Sequence, residues 1–206
     1  MRTVAFLNSK GGVGKTTSSF MTAEAARRAG YSTAVLDVDP QGSASDWSEQ
    51  AIEAGTPLRF TVQDANQRTM HPKSARANVD YLFIDTGPND PAIIVEAAKL
   101  ADLVVIPTRS SPADLDRAFQ TYDSISGATA LMLWDIDPRR QLYRQAQQII
   151  AAQDRVLLAS EIPSREDVNK LWFTDLSVEN LYGYEAVFEE LHAVLNVMEM
   201  ETSHDS

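Results

Sequence analysis

Short runs of β-branched and apolar residues recur along the chain, separated by stretches in which apolar positions return every three or four residues. The runs predict strands over Thr3–Asn8, Thr33–Asp39, Arg59–Gln63, Tyr81–Asp85, Leu103–Pro107, Ala130–Asp135 and Val156–Ile162. The intervening stretches predict helices over 15–29, 43–53, 67–77, 91–100, 112–126, 139–152, 165–174 and 184–199. Strand and helix alternate with few exceptions, which is the pattern of βαβ units. The expected fold class is therefore α/β, a mostly parallel twisted sheet of about seven strands with helices on both faces. Helix starts carry capping signals at Asp90 before Pro91, at Ser111 before Pro112 with Asp114 third, and at Ser164 with Asp167. No internal repeat or linker interrupts the pattern, so a single domain is expected over 1–200, with 201–206 a disordered tail.

Composition narrows the class. With 206 residues, 44% of them hydrophobic and 23% charged, the chain reads as one soluble domain. It has no apolar run of membrane-spanning length, and Met1-Arg2 leads directly into the first strand without a cleavage signal, so a cytoplasmic protein is expected. The absence of cysteine excludes disulfides, thiolate zinc sites and cysteine-held iron–sulfur clusters. The three histidines are scattered without metal-ligand spacing.

The net charge of −11 is unevenly placed: residues 171–206 hold eight acidic side chains and no Lys or Arg, which leaves −3 for residues 1–170. An acidic surface repels nucleic acid and anionic lipid over a screening length of about 8 Å, so either partner would need a local basic patch. Arg68/Lys73/Arg76 and Arg139/Arg140/Arg144 are the two candidates, and the second is chosen for DNA because Arg144 follows Arg140 by one helical turn. The last helix aligns Val187, Phe188, Leu191, Val194, Leu195 and Met198 on one stripe, with glutamates elsewhere and no cation to meet lipid. That stripe is read as core packing, and no membrane partner is expected.

Chemistry concentrates in "NSKGGVGKTTSSF", residues 8 to 20, between the first strand and the first helix. Backbone N–H groups of a glycine-rich turn at a helix N-terminus form an anion cradle, helped by the helix dipole. Gly11, Gly12, Val13 and Gly14 would wrap phosphate oxygens. Lys15 would reach the β- and γ-phosphates, and the Thr16 hydroxyl would ligate Mg²⁺. The strict pattern G-x-x-x-x-G-K-[ST] is not met, because its first glycine falls on Ser9. Two further segments, "LDVDPQG" and "FIDTGP", end strands on Asp39 and Asp85. In parallel sheets ligands bind beyond the carboxyl ends of the strands, so both carboxylates are expected beside the loop, where they suit Mg²⁺ coordination.

"KGGVGKTT" with "LDVDPQG", "FIDTGP" and "ADLVVIPTRSSPADL" resembles the deviant Walker-A ATPases of the ParA/MinD group, specifically the small ParA-type partition ATPases without an N-terminal DNA-binding extension. The resemblance runs over about residues 2 to 195 and implies a P-loop NTPase fold that binds ATP and Mg²⁺ and forms a homodimer on ATP binding. It implies that Lys10 crosses to the partner's phosphates and that Asp39 orients the attacking water. In the same pattern Asp85 holds the metal through water, Thr17 touches the α-phosphate and Gly87 belongs to a γ-phosphate switch. Pro163 and Arg165 match a purine-side segment, whereas Trp134-Asp135 stands where relatives often carry a small polar or Asn-Arg pair. The implied function is an ATP-dependent positioning switch. Its hydrolysis is stimulated by a small centromere-binding or adaptor partner, its matrix is non-specific DNA of the nucleoid, and its cargo is a plasmid, a chromosome origin or a protein assembly. The competing readings are an ATP-dependent small-molecule ligase or kinase, for which Lys10 has no use, and a conjugation or regulatory adaptor.

Overall fold

A computed structural model describes residues 1–88 and 90–204. Its seven strands are β1 (Arg2–Phe6), β2 (Thr33–Asp37), β3 (Thr61–Asp64), β4 (Tyr81–Asp85), β5 (Leu103–Thr108), β6 (Thr129–Ile136) and β7 (Ile162–Pro163). The eight helices are α1 (Lys15–Arg28), α2 (Ser43–Glu53), α3 (Met70–Arg76), α4 (Pro91–Leu100), α5 (Pro112–Asp123), α6 (Gln141–Ala152), α7 (Glu166–Asn169) and α8 (Tyr184–His204). The strands form one sheet in the order β3-β2-β4-β1-β5-β6-β7, and every pairing is parallel.

Each central strand is buried on both faces, which is why it reads as a continuous apolar run. Val4 and Phe6 enter the layer under α1 and α8, whereas Ala5 and Leu7 enter the opposite layer with Ile93, Ile94 and Leu115 of α4 and α5. The chain winds outward from β1 to β2, then returns through β4 and crosses to β5 on the other side of β1. The carboxyl end of β1 is thus the point where the winding reverses, and ligand crevices open at such points. The register brings Asp37 beside Asp85 and Asp85 beside Phe6 at that end.

The expected cap of Asp90 accepts hydrogen bonds from Ala92 and Ile93 N–H, and that of Ser111 accepts from Asp114 N–H. Other expectations need correction. The strand expected over Val156–Ile162 is broken: Leu157 bridges to Leu131, and pairing resumes only at Ile162. Between them, the N–H groups of Ala159 and Ser160 are both taken by the Glu190 carboxylate of α8, each at 2.7 Å. Ser164 is not a cap; its N–H extends the sheet pattern to Ile136 C=O, and α7 begins after Arg165 without a side-chain cap. The helix expected to reach 174 stops at Asn169, because the following loop is held elsewhere: Trp47 Nε1 donates to Thr174 C=O, and Phe173 and Leu176 have positive φ. α6 begins at Gln141, so Arg139 and Arg140 precede it. α8 continues through His204, into the segment expected to be a tail, of which 205–206 lie outside the described residues.

Candidate functional site

The loop after β1 is shaped by its own side chains before any ligand is considered. Buried Asn8 donates to Pro107 C=O at 2.9 Å and accepts from Lys10 N–H at 2.9 Å, which ties the loop to the neighbouring strand and starts its curl. Gly14 sits at the α1 N-terminus with φ 87°, and a Cβ there would come within 2.2 Å of the Trp134 ring. Both the backbone conformation and the close approach therefore require glycine. No side chain caps α1 and no acidic residue lies in its first turn, so the N–H groups and the positive end of the dipole face the cleft.

That cleft holds about 440 Å³ and is lined by residues 11–12 and 14–17, with Asp39, Thr86, Arg109, Trp134 and Trp172 on its other walls. Val13 of the loop is buried, so its part in any cradle is through its backbone. Lys15 is also buried, with Nζ 3.0 Å from Lys10 C=O inside the loop. Burial holds its ammonium below the usual lysine range, against the pull of Asp85 and Asp39. Such a cation gains from an anion placed in the loop.

Two carboxylates face it from the sheet end. Asp85 is fully buried and neither oxygen has a hydrogen-bond partner. Burial pushes its pKa up to about 8, and the nearby Asp37 and Asp39 add to the rise, outweighing Thr16 and Lys15. Two orphaned acceptors at the end of a buried strand are a strong signal for a cation. Among the described residues no group of three or more His, Cys, Asp or Glu is placed to hold a metal alone. That fits Mg²⁺, which is usually held by one or two protein groups together with phosphate oxygens and water. Thr16 and Asp85 are thus suited to it.

Asp39 lies beyond the end of β2, in the turn to α2, where Oδ1 accepts from Gln41 N–H at 2.9 Å. The turn is clamped by Asp37, which accepts from Asp39 N–H at 3.0 Å and from Ser45 N–H and Oγ–H at 2.7 and 2.8 Å. Burial raises the Asp37 carboxyl pKa, and these bonds oppose it. A Cβ on Gly87 would lie 2.3 Å from Asp39 Oδ1, so the loop after β4 touches the Asp39 carboxylate directly.

Lys10 points away from its own loop: its Nζ pairs with Asp114 at the start of α5. Burial pushes the Asp114 carboxyl up, but hydrogen bonds from Lys10 and Ser111 outweigh it and leave it below the usual carboxylate range. Asp114 is legible in the sequence only as a capping residue; its contact with Lys10 depends on α5 following the strand next to β1.

Trp134 is packing, with Nε1 donating at 2.9 Å to the buried Tyr184 hydroxyl, which also meets Ser18 Oγ at 3.0 Å. Arg109 lies over its ring at 5.1 Å and pairs with Asp135 at 3.0 Å. Pro163 and Arg165 line the same recess, alongside the phosphate cleft. Neither Arg109 nor Trp172 stands out in the sequence, although Arg109 follows a strand that borders β1. Of the arginines expected to meet DNA, Arg139 and Arg140 share Asp137 at 2.9 and 3.8 Å and line a cavity with Asp135, Pro163 and Arg165, a lining that does not include Arg144. No helix among the described residues is long and apolar enough to cross a membrane.

Residues 4–178 match the family described as the CobQ/CobB/MinD/ParA nucleotide binding domain. The maintenance of carboxysome distribution protein A of Gloeobacter kilaueensis is 37% identical over 144 residues, 67% of this chain but only 65% of that protein. Solved structures share the fold: a putative plasmid partition protein of Borrelia burgdorferi bound to AMPPNP has a TM-score of 0.73 at 19% identity, covering 93% of this chain and 98% of the other. The septum site-determining protein MinD of Pyrococcus horikoshii with Mg-ADP has a TM-score of 0.73 at 16% identity, covering 95% and 98%.

Proposed function

Since this chain belongs to the CobQ/CobB/MinD/ParA nucleotide-binding family, we propose that it is an ATP- and Mg²⁺-dependent dimerising ATPase that positions a cargo. The observation that carries this reading is the split between its two loop lysines: Lys15 is buried within the cradle, while Lys10 leaves it for Asp114. A lysine that its own loop does not use is available to a second protomer.

In this reading the residue 11–17 backbone and Lys15 bind the phosphates, Thr17 reaches the α-phosphate, and Thr16 with Asp85 holds Mg²⁺. Mg²⁺, when bound, neutralises charge on the phosphoryl oxygens. Asp39 orients the attacking water, and Gly87 lets the γ-phosphate loop lie against it. Lys10 exchanges Asp114 for the partner's phosphates, supplying a cation where negative charge develops, as an arginine finger does. A partner protein stimulates the step, and the ATP dimer holds to non-specific DNA through Arg139, Arg140 and Arg144. The relatives named above give carboxysome distribution, plasmid partition and septum placement as kinds of cargo.

The test is to separate holding ATP from using it. Asp39→Ala is expected to accumulate as an ATP-bound dimer with hydrolysis far below wild type, whereas Lys10→Ala binds ATP as a monomer. Light scattering with ATP, alongside calorimetry, decides: a Lys10→Ala protein that dimerises normally removes the role in trans.

A further inference from the structure

Asp114 is buried at the start of α5, and capping the helix does not account for its side chain. Ser111 is the cap, since its Oγ accepts from Asp114 N–H. The Asp114 carboxylate is engaged by side chains instead: Oδ1 accepts from Lys10 Nζ and Oδ2 from Ser111 Oγ–H. The Asp114 side chain is 8% exposed and that of Lys10 39%, so the pair has a buried anchor and a half-exposed arm.

That arm can move alone. The backbone of Lys10 is held on both sides, its N–H by Asn8 Oδ1 at 2.9 Å and its C=O by Lys15 Nζ at 3.0 Å. Beside its side chain lies a cavity of about 330 Å³, lined by Ser9, Lys10, Gly11, Ala113 and Arg117. Nζ can therefore leave Asp114 by side-chain rotation, with the phosphate cradle undisturbed. The carboxylate left behind keeps its bond from Ser111, the positive end of α5 and the nearby charge of Arg109. An ion pair that is favourable yet exchangeable sets a threshold for whatever needs the lysine.

We propose that Asp114 is an autoinhibitory latch, holding Lys10 back from a second protomer until the phosphates of a nucleotide-loaded partner displace it. The inference rests on the reading of Lys10 in trans and adds the regulation of that contact. Only protomers with Lys10 released can close the dimer, and the apparent dimer constant is reduced by the fraction released. Both protomers must release a lysine, so the reduction enters twice. A half-exposed, charge-assisted pair is a factor of about three to ten per protomer, and so about ten- to a hundredfold for the dimer.

The test is the dimer dissociation constant of the full chain with Mg²⁺ and AMPPNP, a nucleotide that is not hydrolysed, measured by sedimentation equilibrium. Asp114→Asn keeps the shape and the acceptor for Ser111 but not the charge that holds the ammonium, and it is expected to dimerise about ten- to a hundredfold more tightly than wild type. Asp114→Ala, which also gives up the Ser111 bond, is expected to move in the same direction. Asp116→Asn removes the same charge from an exposed position of α5 and should change the constant by less than about twofold. Asp114→Asn placed in the Lys10→Ala chain should restore no dimer, because its effect runs through that lysine. The latch is overturned if Asp116→Asn tightens the dimer as much as Asp114→Asn does, or if a dimer returns without Lys10. It is overturned equally if both Asp114 variants dimerise no more tightly than wild type, which would make Asp114 a prop for the loop. If Lys10→Ala by itself dimerises as wild type does, the reading in trans falls and takes the latch with it.

Discussion

A methyl group on residue 87 has nowhere to go except into the Asp39 carboxylate, 2.3 Å away. Gly87→Ala is therefore expected to push Asp39 out of line and lower hydrolysis by about a hundredfold, the loss that a small misplacement of a positioning group produces. ATP affinity should fall far less than hydrolysis, since the added methyl meets Asp39 and not Lys15 or the start of α1; phosphate release set beside calorimetry separates the two, and a parallel loss would contradict a positioning effect. Asp85 gives a second prediction, in pH. An unfolded aspartate releases its proton near 3.8 and this buried one only near 8, so between those values the folded state binds more protons than the unfolded state. Stability from this residue is then fully present at low pH and is lost as pH rises through that window. In metal- and nucleotide-free buffer, the melting temperature of Asp85→Asn relative to wild type should rise from pH 5 to pH 8. A difference that stays flat would mean that Asp85 is ionised in the folded protein throughout.

At the scale of elements, Tyr184 joins three of them: the first residue of α8, it reaches Ser18 on α1 and Trp134 on β6 through one buried hydroxyl. Tyr184→Phe removes both bonds and strands the Trp134 Nε1–H in the core, at a cost of about 1–3 kcal/mol. Urea denaturation measures it, and a change under about 0.5 kcal/mol would show that the hydroxyl is dispensable. The strands and long helices were legible in the sequence because each is a local pattern: β4 needs only its own five apolar-to-acidic residues, and Ser111 caps α5 by a bond three residues long. The failures share a cause of the opposite kind. Glu190 takes the Ala159 and Ser160 N–H groups from about thirty residues away, and Trp47 fixes the 174 loop from further still. The site divides the same way. Lys15, Thr16 and Asp85 follow from loop and strand-end chemistry, but the ion pairs of Lys10 with Asp114 and of Arg109 with Asp135 exist only once β5 is laid next to β1 and β6 next to β5.

For the whole molecule, the net charge of −11 opposes any hold on DNA, and the cluster proposed to supply it is weaker than its three arginines suggest. Asp137 pairs with both Arg139 and Arg140, leaving about two net positive charges per protomer and four in a dimer. Duplex binding should need ATP and fall with salt at a logarithmic slope of about −3 to −4. Asp137→Ala should steepen the slope, Arg139→Ala with Arg140→Ala should flatten it, and anisotropy at several salt concentrations reads both. A wild-type ATP dimer that shows no binding at low salt would remove DNA as the matrix. The aromatic packing of the molecule has a practical consequence as well. Of the three tryptophans, Trp134 and Trp172 line the phosphate cleft, and Trp47 stacks on Trp172 at 4.8 Å. All indole emission of this chain therefore originates at one end of one sheet, within a ring or two of the cleft, so the protein carries its own optical gauge of occupancy and can be titrated with nucleotide unlabelled.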